Sequence, residues 1–508
     1  MGSVGPSTTQ RRTVRNSDIE NLTSLLSSTA AEVITADNAE AYKTSIARWS
    51  MAASKPAGLV IKPTTAQEVG IAVKYANENN IELAVKGGGH STAGASSTDG
   101  GLLIDLGLMR QVSIEDWSEE PGQKVLRIGG GASWGDVDDE GVKYGLHTVG
   151  GTVADTGVGG LTLGGGYGWL SGQHGLSIDC LVEVEVVLAN GEVVRANEDE
   201  NEDLFWALAG AGQNFGVATE FVTRAFPQGD IWCGLVLFST EPEVVNKVVK
   251  VVNDVYTPDA KSGRTRFQGK SAGGLGFMSP PPAEGKICTF VTIIWHGTEE
   301  EGKEAWKELF EIGPMMSTMA MQPYPVANKF LAPPIGLRSS MKGSSFNMPL
   351  KVDFVEDVQK MYTEFFQADP NERGITLLMY EFFDPWMTVQ HTKGSFANRG
   401  THLNALICPI WKNSEKDAEC RQWARDLNER FKQELERQGT EIGPGGAGAG
   451  VAVRNKKTNS VLMYGNYDQY DEKSRDLFGD NYPKLQRLKA RYDPANMFNK
   501  LFPIYADA

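Results

Sequence analysis

No stretch of the chain approaches the uninterrupted apolar length of a membrane-spanning helix, and no internal repeat marks it as a solenoid. Positive charge is in deficit: 49 Lys and Arg face 64 Asp and Glu, a net charge of −15, and the basic residues are scattered. Such a surface repels phosphate backbones, which excludes nucleic acid as a partner. Cysteine is scarce. Cys180, Cys233, Cys288, Cys408 and Cys420 stand far apart with no C-x-x-C pair, so no metal site or redox dithiol of that spacing is expected, only reduced, buried thiols. No apolar h-region follows the polar start MGSVGPSTTQRRTVR, Pro6 spoils a myristoylation pattern, and YADA is no peroxisomal address. The expectation is a cytoplasmic enzyme, monomeric or weakly dimeric, without membrane contact.

What the chain has in abundance is length and glycine. At 508 residues it exceeds one ordinary core, and 41% apolar with 22% charged residues describes a globular protein of two or three units. From residue 34 to 226, short β-branched runs (LVIKP, ELAVKGG, GLLIDL, KVLRIGG, LVEVEVVLA, FGVATEFVTRAF) alternate with glycine clusters and short helices such as 65–79, started by Pro63-Thr64. From 231 to 453 longer amphipathic helices, at 241–255, 299–310 and 414–438, alternate with the apolar strands CTFVTIIW and ITLLMYEFF, which predicts a second sheet covered by helices. SAGGLGFMSPPPAEG and GPGGAGAG read as flexible surface loops. The final stretch holds a Tyr-rich strand, YGNYDQY, a basic helix at 482–490 and the turn YDPANMFNK.

Two glycine clusters carry the chemistry. AVKGGGHSTAG, residues 84–94, follows a strand, and its consecutive glycines let backbone N–H groups turn toward an anion such as a diphosphate. GGTVADTGVGGLTLGGGYGWLSGQHG, residues 150–175, has few Cβ atoms to keep a flat, wide ligand away. Its glycine spacings also satisfy G-x-G-x-x-G, but a Rossmann unit needs a strand immediately before the motif, and GGTVADT is a poor buried strand.

Together these segments resemble the FAD-linked oxidases of the berberine bridge enzyme type, within the vanillyl-alcohol oxidase and p-cresol methylhydroxylase (PCMH) flavoprotein superfamily. The motifs run in order through most of the chain: KPTTAQEVGIAVKYANENNIELAVKGGGHSTAG, GGLLIDLGLMRQV, IGGGASWGDV, the second glycine cluster with GLSIDCLVEVEVVLANGEVV, DLFWALAGAGQNFGVAT, YGNY and LKARYDPANMF. The resemblance implies an α+β, two-domain PCMH-type FAD-binding fold. Residues 1–228 and 456–508 would form the FAD domain, and 229–455 an inserted antiparallel-sheet substrate domain covered by helices. It also implies that the flavin 8α-methyl group is bonded to His90. Neutral imidazole is nucleophilic, and the glycines before it leave space for a ring edge, although a histidine there can also serve only to bind the loop or a phosphate. Relatives often carry a second anchor, a cysteine, where this chain has Val153, so attachment through His90 alone is expected, with a lower potential and a more enclosed pocket. The expected cradle comprises Lys86, Gly87, Gly88, Gly89, His90, Ser91 and Gly94 in the first loop. The second contributes Gly150, Thr152, Val153, Thr156, Gly157, Gly159, Gly160, Gly164, Gly166, Tyr167, Gly168 and Gly175; Val217, Tyr464 and Asn466 complete it.

The resemblance places a tyrosine of the Y-x-N-Y segment at the reacting carbon, here Tyr464, Asn466 and Tyr467, with Tyr464 expected as base and Asn466 orienting the flavin edge or the substrate. TLLMYEFFDPW places Tyr380, Phe382 and, one residue off-phase, Glu381 near the pocket, with Tyr380 and Phe382 on one face and Glu381 on the other by alternation. In THLNALICPIW, Ala405 and Ile407 fall where relatives project catalytic groups, and Arg399 reads as structural. The implied reaction is hydride transfer from a small organic molecule, a secondary metabolite, to FAD, with O2 reoxidising the flavin to give H2O2. Thr156 replaces a small apolar residue near the oxygen path. A dehydrogenase with another acceptor, a non-redox cyclase or isomerase, and a silent binding protein are the alternatives.

Overall fold

The computed structural model describes residues 10–506 apart from 118–119, 121, 281–284, 333–334, 439–440, 443–452, 455–460 and 469–470, with backbone alone at 441–442 and 453–454. Three sheets organise it. The first has the spatial order Glu32–Ile34, Leu59–Lys62, Leu102–Asp105, Leu83–Lys86; its last three strands are parallel, and the helix Ala66–Glu78 crosses between two of them. Thr65 opens that helix, its side chain accepting from Glu68 N while the Glu68 carboxylate accepts from Thr65 N, and Val69, Ala72, Val73 and Ala76 bury one face. The second sheet is antiparallel, in the order Val112–Asp116, Lys124–Gly129, Val217–Arg224, Leu181–Val187, Val193–Ala196.

The third sheet has eight antiparallel strands. Its order is Met316–Ser317, Ile231–Phe238, Cys288–Trp295, Ser271–Met278, Leu377–Phe382, Leu403–Cys408, Lys342–Phe346, with Ala320–Gln322 added beside Ile231–Phe238. The helices Pro242–Tyr256, Val352–Ala368 and Asp417–Arg437 lie on one face. Val245, Val248, Val249, Val252 and Val255 form the buried stripe of the first helix, and each buried valine contributes roughly 1.5 kcal/mol of transfer free energy. Under these helices Tyr380, Phe354 and Phe431 interlock, with Phe354 and Phe431 edge to face at 4.9 Å. Among the described residues no helix is long and apolar enough to cross a membrane.

Three sequence expectations change here. SAGGLGFM is no loop but the buried central strand Ser271–Met278; a Cβ on Gly273, Gly274 or Gly276 would meet Thr292, Met379 or Leu378 inside 3.0 Å, so these glycines permit close strand approach rather than flexibility. GPGGAGAG lies outside the described residues. The helix expected at 299–310 breaks into Glu299–Ala305 and Lys307–Glu311, because Trp306 leaves helical geometry (φ −106°, ψ 12°) and sinks its indole beside Tyr256 and Phe267. YGNY is not a strand but a 3₁₀ turn, Gly465–Tyr467.

The segment after that turn is fastened to the glycine-rich units by one buried cation. Lys489, on the helix Tyr482–Tyr492, donates to Asn214 O at 2.7 Å, Phe498 O at 2.7 Å and Asp493 Oδ2 at 2.8 Å, and Asp493 accepts from the backbone of Met497 and Phe498. Both side chains are fully buried. Lys489→Met strands the Asp493 carboxylate, at a cost of about 3–5 kcal/mol. Urea unfolding should show a lower midpoint, partly recovered when Asp493→Leu is added.

Candidate active site

At the C-terminal end of the parallel strand Leu83–Lys86 the chain enters Gly87–Gly89, where Gly89 adopts φ +74°, a left-handed conformation suited to glycine. Gly88 lies directly on Gly157: a Cβ on either would come inside 3.0 Å of the other's backbone nitrogen. Gly87 and Gly159 both face Gly130 O, at 3.2 and 3.3 Å from where their Cβ atoms would be. These bare segments floor a cleft holding about 1710 Å³ of empty space, its open mouth included. Leu161, Val217, Met341 and Leu406 supply apolar wall, and Met497 to Leu501 close one side. A groove lined by backbone, with few side chains and one imidazole inside, fits a flat dinucleotide.

Of the expected cradle residues, Gly87, Gly88, Gly89, His90, Ser91, Thr152, Val153, Thr156, Gly157, Gly159, Gly160, Tyr167, Val217, Tyr464 and Asn466 line the cleft, as does Tyr467. The others stand outside its lining and do structural tasks. Lys86 turns away, donating to Ser45 O at 3.0 Å and pairing with Asp105 at 3.3 Å. Gly94 and Gly175 occupy left-handed bends; Gly150 packs on the Trp134 ring, Gly166 on Ser177, and Gly168 on the backbone of Gly150. Gly164 leaves the space taken by the Asn466 amide. Arg399, read as structural, forms a two-pronged pair with Asp179 at 2.7 and 3.0 Å.

His90 is held on three sides. Its ring stacks on Trp49 with centroids 5.1 Å apart and planes 17° apart, Nε2 lies 3.1 Å from Asp155 Oδ1, and Nδ1 lies 3.5 Å from Thr156 Oγ1. Sequence reasoning did not single out Asp155, although it is the one acidic residue in the second glycine cluster.

Three residues make one 3₁₀ turn, so Tyr464 and Tyr467 emerge on the same side, with ring centroids 4.9 Å apart. Asn466 Nδ2 donates to Leu161 O and to Tyr464 Oη, both at 2.9 Å, tying the turn to the glycine-rich helix Val158–Leu163. Burial pushes the Tyr464 hydroxyl pKa up, away from proton acceptance near neutrality. Behind the turn the buried Lys342 ammonium pairs with Asp468 at 2.5 Å, fixing it against the strand Lys342–Phe346.

Of the two faces of the strand Leu377–Phe382, the one bearing Glu381 meets this turn. Tyr380 and Phe382 point into the helix-covered core, and it is Glu381 that faces the turn, accepting from Tyr467 Oη at 2.9 Å. Glu381 is 8% exposed and its Oε2 is buried without a hydrogen bond. Burial raises its carboxyl pKa to about 7. In the neighbouring strand Ala405 and Ile407 likewise face the core, while Leu406 lines the cleft. The adjacent position on that cleft-side face is Asn404, so the loss of polar groups inferred from Ala405 and Ile407 does not hold. Met341, Gln213 and the 497–501 segment were also missed as cleft residues; of these, Gln213, Met497 and Phe498 fall inside motifs already recognised.

Against known proteins, residues 57–197 match the family model described as FAD binding domain, and residues 463–502 that described as berberine and berberine like. The chain is 31% identical over 503 residues, 96% of each sequence, to the FAD-linked oxidoreductase pgmH of Aspergillus terreus. It belongs to the berberine bridge enzyme-like FAD-linked oxidoreductases. This oxidoreductase is also 38% identical over 168 residues, 33% of its length and 36% of the other's, to (R)-6-hydroxynicotine oxidase of Paenarthrobacter nicotinovorans. Among solved structures, Acremonium strictum glucooligosaccharide oxidase superposes with TM-score 0.75 at 20% identity, over 96% of this chain and 98% of that one. 6-Hydroxy-D-nicotine oxidase of Arthrobacter nicotinovorans does so with TM-score 0.74 at 22% identity, over 94% and 98%. The PCMH-type α+β fold is therefore shared, and the enzyme binds FAD and acts on a small molecule.

The Gly88–Gly157 contact supplies a direct test. Gly88→Ala must push the two loops apart, and purified protein should carry far less flavin, read as the ratio of visible to 280 nm absorbance, than Gly229→Ala, which lies outside the cleft and whose Cβ would meet nothing within 4 Å.

Proposed function

We propose that this oxidoreductase removes hydride and a proton from an alcohol, amine or activated C–H group of a small secondary metabolite, with FAD bonded through His90 alone and dioxygen as the final acceptor. The observation that carries the reading is the Glu381–Tyr467 pair, buried opposite the glycine cradle where the inserted sheet meets the tail. When bound, FAD supplies the two-electron acceptor. The protein's own groups manage the proton. A carboxylate with a raised pKa is matched to general-base work near neutrality, and Tyr467 Oη, hydrogen-bonded to it, relays a substrate proton to Glu381. This moves the base from Tyr464, whose hydroxyl instead accepts from Asn466 and serves to orient the site. Leu406 and Met341 keep water from the reacting carbon.

Residues 1–228 with 456–508 are proposed as the FAD domain and 229–455 as the substrate domain, in line with the three sheets and the Lys489 fastening. The five buried, unpaired cysteines support a reducing compartment such as the cytoplasm. The oxidase names of 6-hydroxynicotine oxidase and glucooligosaccharide oxidase support oxygen as acceptor. Thr156, facing His90 where relatives have a small apolar residue, favours a second reading, a dehydrogenase with another acceptor. Anaerobic reduction by substrate followed by admission of air separates the two: rapid reoxidation with peroxide release identifies the oxidase.

Two outcomes test the proton path. Glu381→Gln should lower the rate of flavin reduction by about 10²–10⁴-fold, and Tyr467→Phe should lower it far more than Tyr464→Phe, in stopped-flow reduction. Because burial raises the Glu381 pKa to about 7, the carboxylate is protonated and inactive below that value. The wild-type kcat/KM should rise with pH through about 7, and that limb should vanish in Glu381→Gln.

A further inference from the structure

The geometry assigns to Asp155 the task of preparing His90 for its bond to the flavin, a positioning role that rests on the proposed reading of His90 as the covalent anchor. An imidazole has one lone pair in its neutral form, and a neighbour that accepts the N–H of one nitrogen fixes the lone pair on the other. Here the neighbour of Nε2 is Asp155 Oδ1 at 3.1 Å, and that oxygen is buried and makes no other hydrogen bond. Thr156 Oγ1, at 3.5 Å from Nδ1, is too distant to hold the second nitrogen firmly. Trp49 fixes the plane of the ring. Nδ1 is thus the nitrogen left nucleophilic, on a ring that cannot rotate freely.

The bond-forming step balances as follows. A C–H bond of the flavin 8α-methyl group breaks and its proton leaves. A C–N bond forms from His90 Nδ1 to that carbon, and two electrons remain on the isoalloxazine, from which dioxygen removes them as hydrogen peroxide with two protons. Alkylation at Nδ1 turns the ring into a cation until Nε2 gives up its proton. Asp155, already hydrogen-bonded there, stabilises that cation, and the Nε2 proton leaves to solvent along its exposed side; its side chain is 37% exposed. A carboxylate beside a developing imidazolium both orients and stabilises it, the same arrangement that serves histidines in acyl-transfer triads.

The test measures attachment, not turnover. Wild type, Asp155→Ala and Asp155→Asn are purified with their flavin and precipitated in acid, and the flavin retained by the polypeptide is compared with that released. Partly flavinylated fractions then receive FAD in air and the covalent fraction is followed with time. Asp155→Ala should acquire the bond at least about tenfold more slowly than wild type. Asp155→Asn, which keeps an acceptor without the charge, should fall between them, and sodium formate should accelerate Asp155→Ala but not wild type. In a His90→Ala background, adding Asp155→Ala should leave the Kd for FAD unchanged. Attachment at the wild-type rate in Asp155→Ala overturns the assignment. So does a loss of attachment matched by an equal loss of non-covalent affinity, which marks a merely structural residue. If wild type itself releases its flavin in acid, the His90 anchor fails instead, so the two failures are told apart.

Discussion

At Gly88 and Gly157 two segments of backbone pass so close that neither tolerates a methyl group, and most of the site follows from that approach. One segment is the loop leaving a parallel strand and carries His90 two residues on; the other opens a short helix and carries Asp155 two residues before. Pressing them together is what brings a ring from the first loop within hydrogen-bond reach of a carboxylate from the second. Side chains removed at the contact also leave the cleft floor flat, because the neighbouring glycines at 87, 130, 159 and 160 present backbone to whatever lies above. A packed interior tolerates such bare contacts only where the gain in geometry outweighs the lost burial of side chains.

The opposite wall is built by a different logic. A 3₁₀ turn repeats every three residues, which lets Tyr464 and Tyr467 share one side while Asn466 points back to the glycine-rich helix. The turn is held between two anchors, the Asn466 amide in front and the buried Lys342–Asp468 pair behind. Between them Tyr467 reaches Glu381, a carboxyl group whose charge is disfavoured by burial and supported by a single hydroxyl. That balance gives a buried carboxyl group able to exchange protons near neutral pH.

The sequence made the cradle legible because a cradle depends on missing side chains, and absence is visible in one dimension. His90, the helix beginning at Ala66 and the strands flanking the glycine clusters fell where the pattern put them. What could not be read was the phase of the inserted sheet. Its strand at 377–382 is apolar on both faces, so alternation tells that Tyr380 and Glu381 diverge but not which side meets the cofactor domain. Alignment with relatives, one residue out of phase in the neighbouring strand, put Ala405 and Ile407 where Asn404 and Leu406 stand. Glycine misled once: SAGGLGFM looks flexible only because the neighbours that demand its small residues, Thr292, Leu378 and Met379, lie far away in sequence. Asp155 escaped notice because its partner His90 is brought to it by the fold.

Lys489 has a consequence for the order in which this enzyme can be made. A ribosome delivers both glycine loops well before the segment that bears Tyr467 and Lys489, and until that ammonium finds Asn214 and Asp493 the cleft stays without one of its sides. Nascent chains therefore expose an unfinished groove until residues 482–498 have been added and packed against it.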